Sequence, residues 1–473
     1  MRTLNFLRTN AWGLAAMLLV GLTFLILAYI GKTPEIIHNH LLTTNPAIKY
    51  GFRVLIFLPA LSIMFTSAWR QQRWPDKLLL LALSLQVMAL FCWINAMLNY
   101  GIFLGMATIT ASVTNGLKVY KPQLTFYFII AYLLFSLLSI IWYETPPPMH
   151  FIKHYYYWLT IIALFLLIKL SNNQLEEILK VLFHVGLLFV AVSLCVWLYE
   201  AHSFQRPISE WFWLPGRSKF SIGSDVPFTY IYSWTNYQHP SFVATGICLA
   251  LTTGFWLCGR KRIGFIELIA MAIGTALLID LTMSRVGIII YLIALGLGTG
   301  YLLRKSRRVL IGYAALITIG IGFTIPICNL SSLKVDHNDS ARIEMLKQGL
   351  SLIKAHPLKG NGLESTLYND EWTIQHLHLH NQFINDWAQS GIIRVLALLG
   401  IFLSAIYNAI CKRSFLIPAL LLTYLPVMLI DTPFYTGYMI PFFFIPLTLA
   451  LVATDCPQVV WECKKLNTRR KLP

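Results

Sequence analysis

The sequence predicts an all-α, polytopic integral membrane protein with about 12–14 transmembrane helices. Of its 473 residues, 57% are hydrophobic and only 12% are charged, and the mean hydropathy is +0.64. A soluble domain carries roughly 25% charged residues. Apolar runs close to the ~20 residues that cross a bilayer recur from one end of the chain to the other. We therefore expect a single transmembrane domain over residues 1–473.

The apolar runs define the expected elements in chain order. The candidate spans are 11–31, 52–69, 78–97, 101–116, 123–143, 154–170, 181–199, 240–258, 263–281, 286–303, 309–327, 391–410, 414–430 and 438–454. The first run is too long for the apolar region of a signal peptide and is expected to be a retained helix. The run 101–116 contains several Thr and Ser residues and is expected to be re-entrant or interfacial if it does not span.

The charge of +17 is distributed in a way that argues for membrane topology and against a nucleic-acid partner. If the N-terminus is cytoplasmic and the sides alternate, most of the 37 Lys and Arg residues fall in short cytoplasmic segments. These are Arg2, Arg8, Arg70, Arg73, Lys77, Lys118, Lys121, Lys169, Lys180, Arg260, Lys261, Arg262, Arg304, Lys305, Arg307, Arg308, Lys412, Arg413, Lys464, Lys465, Arg469, Arg470 and Lys471. This distribution follows the positive-inside rule. It predicts cytoplasmic termini and two long loops on the outer side, at about 200–239 and 328–390.

The loop 200–239 is rich in aromatic residues and includes the basic residues Arg217 and Lys219. The aromatic side chains fit an interfacial belt, or a platform for sugars beside basic groups. The eight cysteines form no CxxC pair, so no disulfide framework and no zinc site are expected.

The loop 328–390 is expected to contain an amphipathic helix. Asp339 or Ser340 is predicted to cap a helix that begins near Ala341. Apolar residues then recur at spacings of three and four: Ile343, Leu346, Leu350 and Ile353. His356-Pro357 and Gly360-Asn361-Gly362 are predicted to end the helix and form a turn.

Two arginines are candidates for binding an anion. Arg285 lies between two apolar runs, where a charge is costly and marks either function or a pair, here with Asp280. Its planar guanidinium suits phosphate oxygens. Arg342 is expected at the start of the amphipathic helix, where it is either a solvated residue or reinforces an anion site made by free N–H groups.

The tract His376-Leu377-His378-Leu379-His380-Asn381 is the strongest candidate for catalysis. Histidine can take up or release a proton near neutral pH. His380 is therefore predicted to be a general base; a structural role and a metal site are the alternatives. No metal is expected, because carboxylates at ligand spacing are not evident. The chain also has no Gly-rich nucleotide loop, so no cofactor is expected.

Three motifs, in this order, resemble the O-antigen ligase/polymerase superfamily. They are Ser284-Arg285, the segment from Arg342 to Gly360-Asn361-Gly362, and His380-Asn381 followed by Gly391. The likeness covers about 240–410. It implies a GT-C-like, all-helical glycosyltransferase that works without a metal at the periplasmic face of the bacterial inner membrane, on glycans carried by undecaprenyl diphosphate. Ligases of the family tend to have Gly-x-x-Gly after the histidine motif, whereas this chain has Gly391-Ile392-Ile393-Arg394.

The resemblance implies that Arg285 and Arg342 contact the diphosphate and that His380 assists the acceptor. Asn381, His378, Arg217 and Lys219 are expected to bind substrate. The favoured function is transfer of a glycan to lipid A–core, as in an O-antigen ligase. A polymerase that extends the lipid-linked glycan and a protein O-oligosaccharyltransferase are alternatives. A lipid-linked oligosaccharide flippase is an alternative of another class; it is disfavoured because the charges gather at one face and no internal repeat is seen.

Overall fold

The computed structural model describes residues 2–30, 55–91, 94–115, 118–139, 141, 155–203, 208–210, 240–281, 284–304, 337–362, 379–434, 439–453 and 459–462. Within these ranges the fold is almost entirely helical. In chain order the helices are α1 (Arg2–Ile30), α2 (55–62), α3 (Ser67–Arg70), α4 (Trp74–Ala89), α5 (Ile94–Asn115), α6 (Leu124–Leu138), α7 (Tyr155–Leu167), α8 (Asn172–Ser203), α9 (Pro240–Gly259), α10 (Phe265–Leu281), α11 (Arg285–Leu303), α12 (His337–Ala355), α13 (Gln382–Ser390), α14 (Ile392–Lys412), α15 (Leu416–Ile430) and α16 (Met439–Val452).

Five of these helices are long and apolar enough to cross a membrane. They contain the stretches Asn10–Tyr29, Asn172–Tyr199, Ser241–Gly259, Val286–Leu303 and Ile392–Lys412. Further apolar helices of 10–17 residues accompany them, so the predicted all-α polytopic membrane class is confirmed. The total of 12–14 crossings stays a prediction, because the candidate span 309–327 lies outside the described residues.

Two predicted span boundaries are wrong. A single helix, α5, runs from Ile94 to Asn115 and includes the whole weak run 101–116 except its last residue. The preceding helix, α4, ends at Ala89, so the two helices are separate. Hydropathy alone does not reveal this break, since both sides of it are apolar. The run 52–69 is also interrupted: helix α2 passes into a 3-10 turn at Ile63–Phe65 before the short helix α3.

Side-chain contacts fix the directions of the central helices. Near the start of α11, Gly287 lies so close to α9 that a Cβ atom there would be 2.7 Å from Ala244. At the other end of α11, Tyr301 stacks on Phe415, which directly precedes α15, with ring centroids 4.2 Å apart. Helix α15 therefore runs antiparallel to α11 and ends where α11 begins. We call this end of the bundle, with Ser284 and Asp431, the site end.

The opposite end of the bundle is held by an ion-pair cluster. Glu176 near the start of α8 pairs with Arg260 and Arg262, which follow α9.

An antiparallel ribbon of two strands, β1 (Lys118–Tyr120) and β2 (Val459–Glu462), is an addition that the apolar pattern did not predict. Lys118 pairs with Glu462 in its register.

Candidate functional site

His380 stands at the entrance of the short helix α13 in a left-handed backbone conformation, with φ of 48°. Asn381 follows as the N-cap: its side-chain oxygen accepts a hydrogen bond from the N–H of Ile384 at 3.1 Å. Its amide nitrogen donates to the carbonyl oxygen of Leu429 at 2.9 Å. Asn381 thereby fastens α13 to the end of α15. The predicted substrate contact of Asn381 stays a prediction, and the side chain already has a structural task.

The side chain of His380 faces a carboxylate that the sequence analysis did not single out. Its Nδ1 atom lies 3.6 Å from Oδ1 of Asp431, and the two side chains are 20% and 5% exposed. The same carboxylate oxygen accepts a hydrogen bond from the N–H of Thr432 at 2.8 Å. A carboxylate at one ring nitrogen can orient an imidazole, which leaves the other nitrogen for a substrate.

A signal for Asp431 was present in the sequence. It is the only charged residue between Arg413 and Asp455, in an otherwise apolar stretch. An ionisable side chain in such a stretch is by default a functional candidate.

The predicted turn at Gly360-Asn361-Gly362 docks directly on the junction between α13 and α14. The N–H groups of Asn361 and Gly362 donate to the carbonyl oxygens of Ala388 and Gln389, each at 2.9 Å. The Asn361 side chain also donates to the carbonyl of Ala388 at 2.9 Å. Two motifs that are far apart in the sequence therefore form one backbone contact.

Two glycines make this contact possible. Gly360 and Gly391 have φ of 74° and 81°, a region that favours glycine. A Cβ atom on Gly391 would lie 1.9 Å from the carbonyl oxygen of Leu358, and one on Gly360 would lie 2.4 Å from that of Gln389. Any larger residue would separate the turn from α13.

A buried polar cluster holds the other side of α13. Arg394 on α14 contacts Oδ1 of Asp386 at 3.1 Å and donates to the Tyr132 hydroxyl at 2.9 Å. That hydroxyl donates to Oδ2 of Asp386, also at 2.9 Å. The side-chain amide of Gln382 donates to Oδ1 of Asp386 at 2.8 Å, and its Oε1 atom accepts a hydrogen bond from the N–H of Phe434 at 3.0 Å. The cluster ties α13 to α6, α14 and the segment after α15.

Burial raises the pKa of the Asp386 carboxyl, and the positive charge of Arg394 and the hydrogen bonds from Tyr132 and Gln382 oppose that shift. Arg394 occupies the last position of the Gly391-Ile392-Ile393-Arg394 sequence, where the ligase pattern has glycine. In this chain that position carries the counter-charge of a buried acid. This cluster is not apparent from the sequence, because its members come from helices that are remote in sequence.

Arg285 is the first residue of α11. Ser284 caps this helix, and its hydroxyl accepts a hydrogen bond from the N–H of Gly287 at 3.0 Å. A cation in the first turn of a helix is disfavoured by the helix dipole, whereas an anion is attracted there. The helix start therefore suits a negatively charged ligand that Arg285 could share. The side chain of Arg285 is outside the described residues, so its suggested pairing with Asp280 stays untested.

The amphipathic helix is confirmed, but its predicted start is wrong. Helix α12 is already formed at His337, so Asp339 and Ser340 lie inside it and do not cap it. Arg342 is consequently in the second turn, away from the free N–H groups at the helix start. The backbone of Arg342 is helical and its side chain is outside the described residues.

Of the four residues in the predicted apolar stripe of α12, only Ile353 is on the buried face. Ile343, Leu346 and Leu350 are exposed. Met345 and Ile353 are buried and pack with Leu379 and Ala388. The buried face is rotated, because it follows the contacts with α13 and Leu379 and not the strongest hydropathy.

Several predicted site residues lie outside the described part of the chain: Arg217, Lys219, His376 and His378. Among the described residues, no group of three or more His, Cys, Asp or Glu side chains could hold a metal ion. A metal at the histidine tract stays untested by the structure, because His376 and His378 lie outside the described residues.

Comparison with known proteins bears on the same region. Residues 268–400 match a family model described as O-antigen ligase. This segment of the chain is similar to the O-antigen ligase family. The O-antigen ligase match runs from α10 into α14 and contains Arg285, the Gly360 turn, His380 and Gly391. The predicted family resemblance is thus confirmed over this segment. No curated protein matches the chain.

Proposed function

We propose that this protein is an O-antigen ligase-type glycosyltransferase that moves a glycan from undecaprenyl diphosphate to lipid A–core. It would act at the periplasmic face of the bacterial inner membrane, with both termini cytoplasmic. The observation that carries the proposal is the pairing of His380 with Asp431 at the bundle end where α11 begins with Arg285. The O-antigen ligase match over 268–400 supports the reaction class.

The proposed reaction is a single displacement with inversion at the anomeric carbon. The acceptor hydroxyl oxygen attacks that carbon, and the bond from the carbon to the diphosphate oxygen breaks. His380 takes the hydroxyl proton, and Asp431 keeps the imidazole oriented. The leaving diphosphate keeps the bonding electron pair, and its negative charge is balanced by Arg285 and Arg342. Arg217, Lys219, His378 and Asn381 would contribute to substrate binding.

No metal is needed in this proposal. Many membrane glycosyltransferases that use lipid-phosphate sugars hold a metal with paired carboxylates, and this sequence has no DxD motif. Arginines then supply the positive charge at the leaving group.

A polymerase that extends the lipid-linked glycan is the second candidate, because Arg394 replaces the glycine that ligases tend to have. A protein O-oligosaccharyltransferase would share the same donor site. The donor half of the proposal is therefore common to all three, and the acceptor distinguishes them.

The test is reconstitution of the purified protein with a lipid-linked glycan and each acceptor separately. We expect the glycan to appear on lipid A–core, and EDTA to leave the rate nearly unchanged. A longer lipid-linked chain would identify a polymerase, and glycosylated protein a protein transferase. Movement of the intact donor across the bilayer without transfer would identify a flippase. A rate abolished by EDTA and restored by a divalent cation would overturn the metal-free mechanism.

A further inference from the structure

A cavity of about 540 Å³ opens at the end of the bundle opposite the site end. Its position follows from its lining, which includes Arg262 after α9, Trp12 in the first half of α1, and Lys180 and His184 in the first half of α8. The segment 62–71 closes another side of the cavity. None of these residues belongs to the O-antigen ligase match or to the proposed catalytic machinery.

The cavity carries an excess of positive charge. Arg70, Lys180 and Arg262 line it, against a single acidic residue, Glu177. Arg262 is already paired with Glu176, which lies outside the lining. Within the described ranges, Arg70 and Lys180 form no ion pair with a carboxylate. Ser67 adds a hydroxyl group to the lining, whereas the hydroxyls of Ser62 and Thr66 already donate to the carbonyl oxygens of Pro59 and Ile63. This chemistry suits a phosphate group.

A set of mutually bonded polar groups forms the floor of the cavity. Nε2 of His184 lies 3.1 Å from Oε2 of Glu267, and Oε1 of Glu267 accepts a hydrogen bond from the N–H of Trp12 at 3.0 Å. His184 and Glu267 are almost fully buried. Because the carboxylate of Glu267 faces His184 and Trp12 and does not line the cavity, it leaves the basic lining exposed to a ligand.

An apolar groove of about 280 Å³ begins one helical turn beyond this floor, on the same three helices. Ala16 follows Trp12 by four residues, Leu187 follows His184 by three, and Ala270 follows Glu267 by three. Such spacings place residues on one face of a helix. Met17 and Ile273, both in the lining, are 54% and 57% exposed, so the groove opens on the outer, lipid-facing surface of the bundle.

Gly21 keeps the groove open. It lies in the lining, and a Cβ atom added there would have no neighbour within 4 Å. A basic cavity and an apolar groove that follow each other along α1 and α8 fit a molecule with a phosphate head and a hydrocarbon chain.

We infer that this cavity and groove together bind one anionic glycerophospholipid, with its phosphate between Arg70 and Lys180 and an acyl chain in the groove beside Gly21. Under the proposed topology the lipid belongs to the cytoplasmic leaflet. Basic side chains at this membrane surface are attracted to anionic lipids, and the groove adds selectivity for one bound molecule.

The head-group half of the inference is tested with the purified full chain in uncharged detergent. Phosphatidylglycerol and phosphatidylcholine with identical acyl chains are titrated, and native mass spectrometry counts the bound lipid. Arg70→Gln combined with Lys180→Gln should weaken phosphatidylglycerol binding at least about tenfold. The control, Arg73→Gln combined with Lys77→Gln, removes the same charge from residues that do not line the cavity and should leave binding unchanged.

The acyl-chain half is tested with Gly21→Leu, which fills the groove, and with Gly300→Leu as the matched control. Gly300 is also a helical glycine with no neighbour within 4 Å of an added Cβ, and it does not line the groove. Gly21→Leu should weaken binding of phosphatidylglycerol at least about tenfold, and Gly300→Leu should not. If the variant with both Arg70→Gln and Lys180→Gln does not fold, Arg70→Gln alone replaces it in the head-group test, because Arg70 is exposed.

Several outcomes would overturn the inference. Equal losses of phosphatidylglycerol binding in the two double variants would indicate general attraction to a basic surface. Equal binding of phosphatidylcholine and phosphatidylglycerol would show that the site does not recognise an anionic head group. Glycerol 3-phosphate binding as tightly as phosphatidylglycerol, with no effect of Gly21→Leu, would indicate a site for the free phosphate compound. Tighter binding of undecaprenyl phosphate than of phosphatidylglycerol would assign the site to a polyprenyl lipid instead.

Discussion

At the residue scale, the candidate site depends on a histidine held in an unusual backbone conformation. A non-glycine residue with positive φ is uncommon, and such strain is concentrated at functional sites. His380 has this conformation between the docked Leu379 side chain and the Asn381 cap. With this backbone, the imidazole of His380 lies 3.6 Å from the carboxylate of Asp431.

We predict that His380→Ala lowers glycan transfer by roughly 10²–10⁴-fold, the usual contribution of a general base. His376→Ala, in the same tract, should cost much less. Donor binding should survive in the His380→Ala variant, because the arginines hold the diphosphate. The reconstituted transfer assay and a separate donor-binding measurement check both points. Normal transfer by His380→Ala, or failure through lost donor binding alone, would refute the base assignment.

Asp431 is predicted to act through His380 and not on the substrate. Asp431→Asn should lower kcat with little change in KM, by less than the ~10²–10⁴-fold loss expected for the base itself. In a His380→Ala background the same change should have almost no further effect, since the imidazole that it orients is gone. Steady-state kinetics of the single and double variants measure this. Independent, multiplicative losses would mean that Asp431 has another role.

At the element scale, the short helix α13 is the piece on which the site is built. It is too short to be stable alone, and it is held on three sides: by the turn at Gly360, by α12, and by the Asp386–Arg394–Tyr132 cluster. The fit at the turn is backbone against backbone, so a substitution there has no flexible side chain to move aside.

Gly391→Ala and Gly360→Ala should each destabilise the protein by about 1–3 kcal/mol or more, because positive φ is strained in alanine and the added Cβ meets backbone atoms. Gly105→Ala is the control, since a Cβ there has no neighbour within 4 Å and alanine favours a helix. Thermal unfolding in detergent compares the three variants. An unchanged melting temperature for Gly391→Ala would contradict the close contact between the turn at Gly360 and the end of α13.

Arg394→Leu should cost about 3–5 kcal/mol, because it leaves the buried Asp386 without its counter-charge. Replacing both residues, in Arg394→Leu with Asp386→Leu, should recover much of that loss, since no buried charge then remains unpaired. Unfolding of the two single variants and the double variant gives the coupling between them. If the double variant loses the sum of the two single losses, the two side chains do not act as a pair.

At the scale of the whole molecule, one arrangement of helices separates two polar regions. α11 and α15 run antiparallel and bring Arg285 and Asp431 to the site end, while α1, α8, the segment 62–71 and Arg262 after α9 form the basic cavity at the other. The distribution of basic residues predicts that the cavity end is cytoplasmic.

Labelling of single cysteines tests that orientation. In a cysteine-free background, Ser331→Cys should react with a membrane-impermeant reagent added from outside, and Ser306→Cys should react only after the membrane is permeabilised. The opposite pattern would invert the topology and place the candidate site on the cytoplasmic side.

The sequence by itself determined the membrane class, most helix positions and the order of the family motifs. These features depend on local composition and on residues adjacent in the chain. It also identified Gly360 and Gly391 as parts of motifs, without indicating that they touch each other. His380 and Arg285 were found in the same way, from their places beside apolar runs.

Only the tertiary structure decided which residues meet. His380 with Asp431, and Asp386 with Arg394 and Tyr132, are contacts between helices whose relative rotation is set by packing. Hydropathy does not encode that rotation, which is why three of the four residues in the predicted stripe on α12 are exposed. The break before α5 and the early start of α12 have the same physical reason. The composition of a segment shows that it can form a helix, whereas packing against neighbouring helices decides at which residue the helix begins and which side chains it buries.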